Sequence, residues 1–290
     1  MTGNLINLPS RETSLFVREV GHGYPILFMH GGPGADQSTM SSLLPLAKDF
    51  RLIFYDHRCN GRSMRNDLET MEWGNLTADA EAIRHHLQIE NWAVCGHSFG
   101  GMVALEYAIR YQENLKNLIL LDTSGDIAWV QKNASVELKN RGFSKLVVAT
   151  AEKFYSGQIA PNELNKTMFI LGRAYYSHPG IVLIIKEAIH GLKIRANSEA
   201  CIYGFKDLLP GWSVMNRLKH IKAHTLIIAG SDDFKFPPSH QKELENGIVG
   251  AELHLLSDAG HNAPIEQSRK VVELISQFLK RGKCPTSRCS

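Results

Sequence analysis

The chain has 290 residues, enough to bury a core without disulfide or metal staples, and room for one large domain or two small ones. With 43% hydrophobic and 21% charged residues, it has the composition of a globular protein rather than a disordered one. Lys and Arg number 32 against 29 Asp and Glu, and a net charge of +3 excludes the footprint of a basic nucleic-acid or membrane-surface binder.

In chain order, Ser14 to Val20 reads as a strand followed by turn glycines Gly21 and Gly23. Pro25 to Met29 is a continuous apolar run that ends in a glycine-rich loop, as a buried strand does. Arg51 to Tyr55 is another such strand. Thr77 to Ile89 has helical spacing, with Ala80, Ile83 and Leu87 on one face and Thr77 as the expected cap. Trp92 to Cys95 is a short strand, Gly100 to Tyr111 a helix, and Leu118 to Leu121 and Thr225 to Ala229 are buried strands. Glu252 to Leu256 is the last strand and Lys270 to Leu279 the last helix. Strands alternating with helices predict a mostly parallel sheet covered on both faces.

The alternation stops between about Gly125 and Trp212, where the pattern is helical over 134–140, 144–154, 163–176 and 181–192. With no Pro/Gly/Ser linker on either side, this stretch reads as an insertion over the sheet. The expected division is a core of residues 1–124 and 213–290 and a helical cap of residues 125–212.

Gly96-His97-Ser98-Phe99-Gly100 fits G-x-S-x-G and falls between a strand and a helix. A sharp turn there needs small neighbours and lifts a serine hydroxyl above the sheet. A bland reading, a glycine-rich turn with an incidental serine, ignores that context. A serine is a poor nucleophile without a base. His261, in Asp258-Ala259-Gly260-His261-Asn262, follows the last strand, where open sheets collect ligands. Most of the other histidines, among them His85, His86 and His220, are expected at the surface. A carboxylate is expected after the preceding strand, in Gly230-Ser231-Asp232-Asp233. The spacing favours Asp233, with Asp232 in reserve or capping the helix from Pro238. The order Ser98, Asp233, His261 is the chain order expected on such a sheet. His30-Gly31-Gly32-Pro33-Gly34 can turn backbone N–H groups inward, and Gly32 and Phe99 are the expected oxyanion donors. It fits neither glycine-rich nucleotide motif.

Together, HGGPG (30–34), DHRCNGRS (56–63), GHSFGG (96–101), GSDDFKFP (230–237) and GHNAP (260–264) resemble the α/β-hydrolase superfamily over nearly the whole chain. The resemblance implies a sheet of about eight strands with a helical cap after the sixth. It also implies that the Asp56–Ser63 turn is structural, with no catalytic role for Cys59. HGGPG resembles the prolyl-iminopeptidase-like branch. The elbow departs from the usual Gly-Gly-Ser-Trp/Tyr-Gly of those aminopeptidases. The candidate cap carboxylates that would hold a substrate amine, such as Glu137, Glu152 and Glu187, are scattered.

The expected reaction is two-step acyl transfer on Ser98 with no metal or organic cofactor. Aromatic residues are modestly enriched in the cap, which points to an apolar pocket. The expected substrate is therefore a small or medium apolar carboxylic ester. An N-terminal amide, cleaved by an aminopeptidase of the prolyl-iminopeptidase type, comes second, and a C–C bond hydrolase third. A non-catalytic binder has no need of all three polar residues. The expected partner is a small molecule, with no nucleic acid and no membrane. Met1 to Ser10 lacks a cationic or apolar signal region, and no apolar run approaches a membrane span, so a cytoplasmic location is expected. The five cysteines, Cys59, Cys95, Cys201, Cys284 and Cys289, show no metal-ligand spacing in the body of the chain. Cys284 and Cys289 read as free thiols ahead of a loose disulfide.

Overall fold

Eight strands form one sheet in the order β1-β2-β4-β3-β5-β6-β7-β8 in a computed structural model that describes residues 3–191 and 193–281. The strands are β1 (Asn4–Leu8), β2 (Thr13–Val20), β3 (Tyr24–Met29), β4 (Phe50–Tyr55), β5 (Trp92–His97), β6 (Leu115–Leu121), β7 (His224–Gly230) and β8 (Glu252–Leu256). β2 is antiparallel to both β1 and β4, and β3 through β8 run parallel. The chain passes from β3 to β4 on one side, then crosses back to place β5 on the other. The crevice at such a reversal opens at the carboxyl ends of β3 and β5, where the glycine-rich loop and the Ser98 turn both lie.

The central strands are buried on both faces, and their side chains alternate between two apolar layers. Ile26, Phe28, Leu52, Phe54, Ile119 and Ile228 face one layer. It is completed by the 3₁₀ segment Gln37–Lys48 and by the C-terminal helix, Ser268–Arg281. Leu27, Met29, Ile53, Val94, Leu120 and Ile227 face the other. There they meet α1 (Trp73–His86), α2 (Phe99–Arg110) and α8 (Pro238–Gly247). Each such side chain contributes about 1.5–3 kcal/mol when fully buried.

The helix expected from Thr77 begins four residues earlier. The Glu72 side chain caps it by accepting from the Asn75 N–H at 2.9 Å. Thr77 is inside the helix, its hydroxyl bonded back to the Trp73 carbonyl at 2.8 Å. β1, an edge strand with a mixed polar pattern, was not anticipated from the sequence.

Between β6 and β7 lie α3 (Ala128–Asn140), α4 (Lys145–Tyr155), α5 (Leu164–Leu171), α6 (Ile181–Gly191) and α7 (Ser198–Tyr203). The two ends of this segment are tied by an antiparallel bridge between Asp126 and Ser213 and by the Val214 N–H donating to the Gly125 carbonyl at 2.8 Å. The remaining helices are α9 (Ala263–Glu266) and the C-terminal helix, α10. Among the described residues no helix is long and apolar enough to cross a membrane. Cys59, Cys95 and Cys201 are free and buried. Cys284 and Cys289, and the end of the expected helix at Leu192, lie outside the described residues.

Candidate active site

Ser98 stands between β5 and α2 with φ 53° and ψ −119°, in backbone space that costs a non-glycine residue about 1–3 kcal/mol. Small neighbours make the turn possible. A Cβ on Gly100 would stand 2.0 Å from the Met29 carbonyl oxygen of β3. The strain is held by packing: α2 is buried along most of its length, and the Thr123 hydroxyl donates to the Ser98 carbonyl at 2.7 Å.

The structure brings the three polar residues singled out in the sequence into one hydrogen-bonded chain. Ser98 Oγ lies 2.9 Å from His261 Nε2, and His261 Nδ1 lies 2.8 Å from Asp233 Oδ2. A carboxylate only accepts, so Nδ1 carries the ring proton and Nε2 is left to accept from the serine hydroxyl. Asp233 Oδ1 accepts the backbone N–H groups of Lys235 and Phe236 at 2.8 and 3.1 Å. Ser98, His261 and Asp233 are only 4%, 2% and 0% exposed. Burial alone would raise the Asp233 carboxyl, but His261 and the two N–H donors outweigh it and hold it below the usual range. Burial lowers the His261 ring below its ordinary value; Asp233 opposes this, and Lys235 adds to it. His261 is thus neutral at neutral pH, with the Nε2 lone pair accepting the Ser98 hydroxyl.

Asp232 does not take part in that chain, and it does not cap α8 either. Its Oδ2 accepts the Ser177 hydroxyl and its carbonyl accepts from Arg141, both on the segment between β6 and β7.

The loop at 30–34 packs against the turn. A Cβ on Gly31 would come within 3.4 Å of Ser98 Cβ. His30 fixes the loop from beneath. The His57 N–H donates to its Nε2 at 3.1 Å, so its Nδ1 carries a proton and donates to the Gly31 carbonyl at 2.7 Å. The Gly34 N–H donates to Asn60 Oδ1 at 2.6 Å. The Phe99 N–H opens α2, where helical geometry leaves it without an intrahelical acceptor. The Asp56–Ser63 turn is tied to neighbouring elements by side-chain bonds: Asp56 accepts from the Gln37 and Arg62 N–H groups, and Arg58 pairs twice with Asp79 at 2.6 Å.

Several residues around the site were not singled out in the sequence. His97 donates from Nε2 to the His261 carbonyl at 3.1 Å, and burial drives its ring down to about 3. Asp122, fully buried, accepts the N–H groups of Gly230 and Ala263 at 2.9 and 3.1 Å, tying β6 to β7 and to the His261 loop. Lys235 places its Nζ 3.3 Å from His261 Nε2. The hydroxyls of Tyr155 and Tyr175 bond to each other at 3.0 Å, and the Tyr175 ring centroid is 5.6 Å from that of His261. The expectation that most other histidines sit at the surface holds for His85, His86 and His220. It fails for His30, His57 and His240, which are buried.

The family model described as "alpha/beta hydrolase fold" matches residues 24–268. The AB hydrolase superfamily protein YisY of Bacillus subtilis is 28% identical over 269 residues, covering 92% of this chain and 96% of that protein. Proline iminopeptidase PfmaB of Pestalotiopsis fici is 24% identical over 264 residues, covering 88% and 92%. Among solved structures, an esterase from Exiguobacterium antarcticum superposes with a TM-score of 0.75 at 20% identity, covering 92% of this chain and 96% of that one.

Proposed function

The chain belongs to the alpha/beta hydrolase fold family and is an enzyme of the hydrolase class, and we propose that it cleaves carboxylic esters through an acyl-enzyme on Ser98. The observation that carries this reading is the unbroken relay from Ser98 Oγ through His261 to Asp233. His261 takes the serine proton as Oγ attacks the carbonyl. The N–H groups of Gly32 and Phe99 hold the developing oxyanion. Asp233 orients the ring and stabilises its charged form. The imidazolium then protonates the departing alcohol, and His261 activates the water that releases the acid.

An ester is favoured over a peptide N-terminus by what surrounds Nε2. The His261 ring is flanked by the rings of His97, Tyr175 and Phe236, and the amine of Lys235 reaches Nε2. Glu187, a candidate for holding a substrate amine, instead takes the Tyr176 hydroxyl at 3.3 Å, and Glu137 pairs with Arg141 at 2.7 Å. An α-ammonium would meet a like charge. Residues 125–212 act in this reading as a cap on a core of residues 1–124 and 213–290. A serine this buried is reached only when the cap helices move.

A fluorophosphonate probe should label Ser98, and Ser98→Ala should lose about 10³-fold or more in kcat on acyl esters. Unchanged ester turnover in that variant sinks the reading. A proline arylamide preferred tens-fold in kcat/KM over esters replaces it with the aminopeptidase.

A further inference from the structure

Lys235 follows Asp233 by two residues in the turn between β7 and α8, and its backbone is pinned by the bond from its N–H to Asp233 Oδ1. Its side chain is turned inward and the residue is 5% exposed. The ammonium lies 5.3–5.6 Å from the ring centroids of Phe236, Tyr175 and Tyr155. Ring faces attract a cation but do not neutralise it. An ammonium has three N–H donors, and the bond found for this one is to His261 Nε2 at 3.3 Å. That lone pair is also the acceptor of the Ser98 hydroxyl at 2.9 Å, so two donors compete for it. Among the described residues no carboxylate lies within ion-pair distance of Lys235 Nζ.

A buried cation with no carboxylate in direct contact is poorly compensated, and an anion brought in with the substrate would supply that contact. We infer that Lys235 is a specificity-determining residue that binds a carboxylate carried by the substrate a few bonds from the scissile carbonyl. This inference rests on the reading of Ser98 as the nucleophile. The substrate class is then a half-ester of a short dicarboxylic acid or an ester of a short hydroxy acid, with the aromatic walls taking the hydrocarbon between the two groups. Pairing of the carboxylate with Nζ draws the ammonium away from Nε2. The lone pair is then free for the Ser98 proton, and the charge that opposes protonation of His261 is neutralised.

Charged and titratable groups face Lys235 from several elements. Asp233 and His261 lie beside it, and Asp122 and His97 act on it electrostatically. Tyr155, Tyr175 and Cys201 face it from the helical segment, and burial holds both phenols protonated. Burial lowers the amine to about 8, against the opposing pull of Asp233, Cys201 and Asp122. The amine is therefore charged at pH 7, and any selectivity that depends on the charge should fade as pH rises through about 8.

The test compares free acids with their neutral esters on the purified full chain by proton release. One arm uses monoethyl succinate against diethyl succinate, with the carboxylate on the acyl side. The other uses O-acetyl lactate against its ethyl ester, with the carboxylate on the alcohol side. We expect kcat/KM for the free acid to exceed that for the capped ester by about tenfold or more in one arm, the effect of one charge-assisted bond. Lys235→Met should abolish the preference and Lys235→Arg should retain it. Equal or reversed preference in both arms overturns the inference, as does a preference that survives Lys235→Met. If Lys235→Met does not fold, the wild-type contrast and its loss above pH 8 decide. Turnover of the capped esters with Ser98 labelled, but without any preference, leaves the hydrolase reading intact and removes this one. No turnover together with an unlabelled Ser98 removes both.

Discussion

The carboxyl end of the sheet and the helical segment above it are built to different standards. α2, which begins at Phe99, buries ten of its twelve residues. α6 buries none of its eleven, leaving Ile181, Val182 and Ile185 more than half exposed. The relay residues stand on the first kind of element, where packing sustains a strained serine and a two-bond grip on Asp233. Tyr155 and Tyr175 reach Lys235 from the segment too, but from its better-buried part: Tyr155 is 1% exposed at the end of α4. Positions that must be held to a fraction of an ångström are fixed by the sheet, while the outer helix of the segment has little packing to hold it.

Two adjacent aspartates divide between these regions. Asp233 faces His261, and Asp232 holds Ser177 and Arg141 of the segment. Asp233→Asn should lower kcat by about 10³–10⁴-fold, because an amide can no longer fix the ring with its proton on Nδ1. Asp232→Asn should stay within a few-fold on esters and show its effect in KM. Steady-state kinetics on one ester decide. Equal losses in kcat would mean that the separation of roles between the two regions is wrong.

Histidines sharpen the contrast with opposite signs. Burial lowers His30, His57, His97 and His261 at the sheet end. In the segment, His190 is raised by its bond to Glu187. At the lowered rings the unfolded chain binds protons that the folded chain refuses. Their contribution is therefore complete above the unfolded value of about 6.5 and is lost as pH falls below it. His190 contributes below that value and loses its contribution as pH rises through its raised one. Asp122, raised by burial and by Asp233, also works against the buried rings. Comparing wild type with His97→Gln isolates one of those rings. Between pH 6.5 and 5 the variant should lose stability less steeply, by about 1 kcal/mol per pH unit on average. Identical slopes in denaturant titrations would show that this ring is not held neutral by the fold.

The sequence made the sheet end readable because its signals are local. Glycines flank Ser98 within two positions, His261 lies in the loop after the last strand, and spacing alone favours Asp233 over its neighbour. All eight strands except β1 left apolar runs, and β1 is a short, largely exposed edge. The groups that were missed depend on distance in the chain. Lys235 gains its meaning from a ring 26 residues away, and Tyr155 meets Tyr175 across a break between helices. Thr77 offers the commoner capping side chain and so masks Glu72, although apolar positions such as Leu76 extend the helical face upstream.

The smallest expected effect comes from adding one methyl group to the looser region. At Gly100 a Cβ would collide with backbone. At Gly172, which follows α5 with φ −49° and ψ −45°, a Cβ would meet nothing within 4 Å. Gly172→Ala should therefore raise stability by about 0.5–1 kcal/mol, mostly by narrowing the unfolded ensemble. Thermal unfolding reads this as a shift of a few degrees at most. Tyr175 lies three residues further on, so the same variant also reports on the turn that carries that ring. A protein that is more stable and equally fast would mean that the turn keeps one shape throughout catalysis. A protein that is more stable but slower would mean that the backbone freedom of Gly172 is used when the segment opens over Ser98.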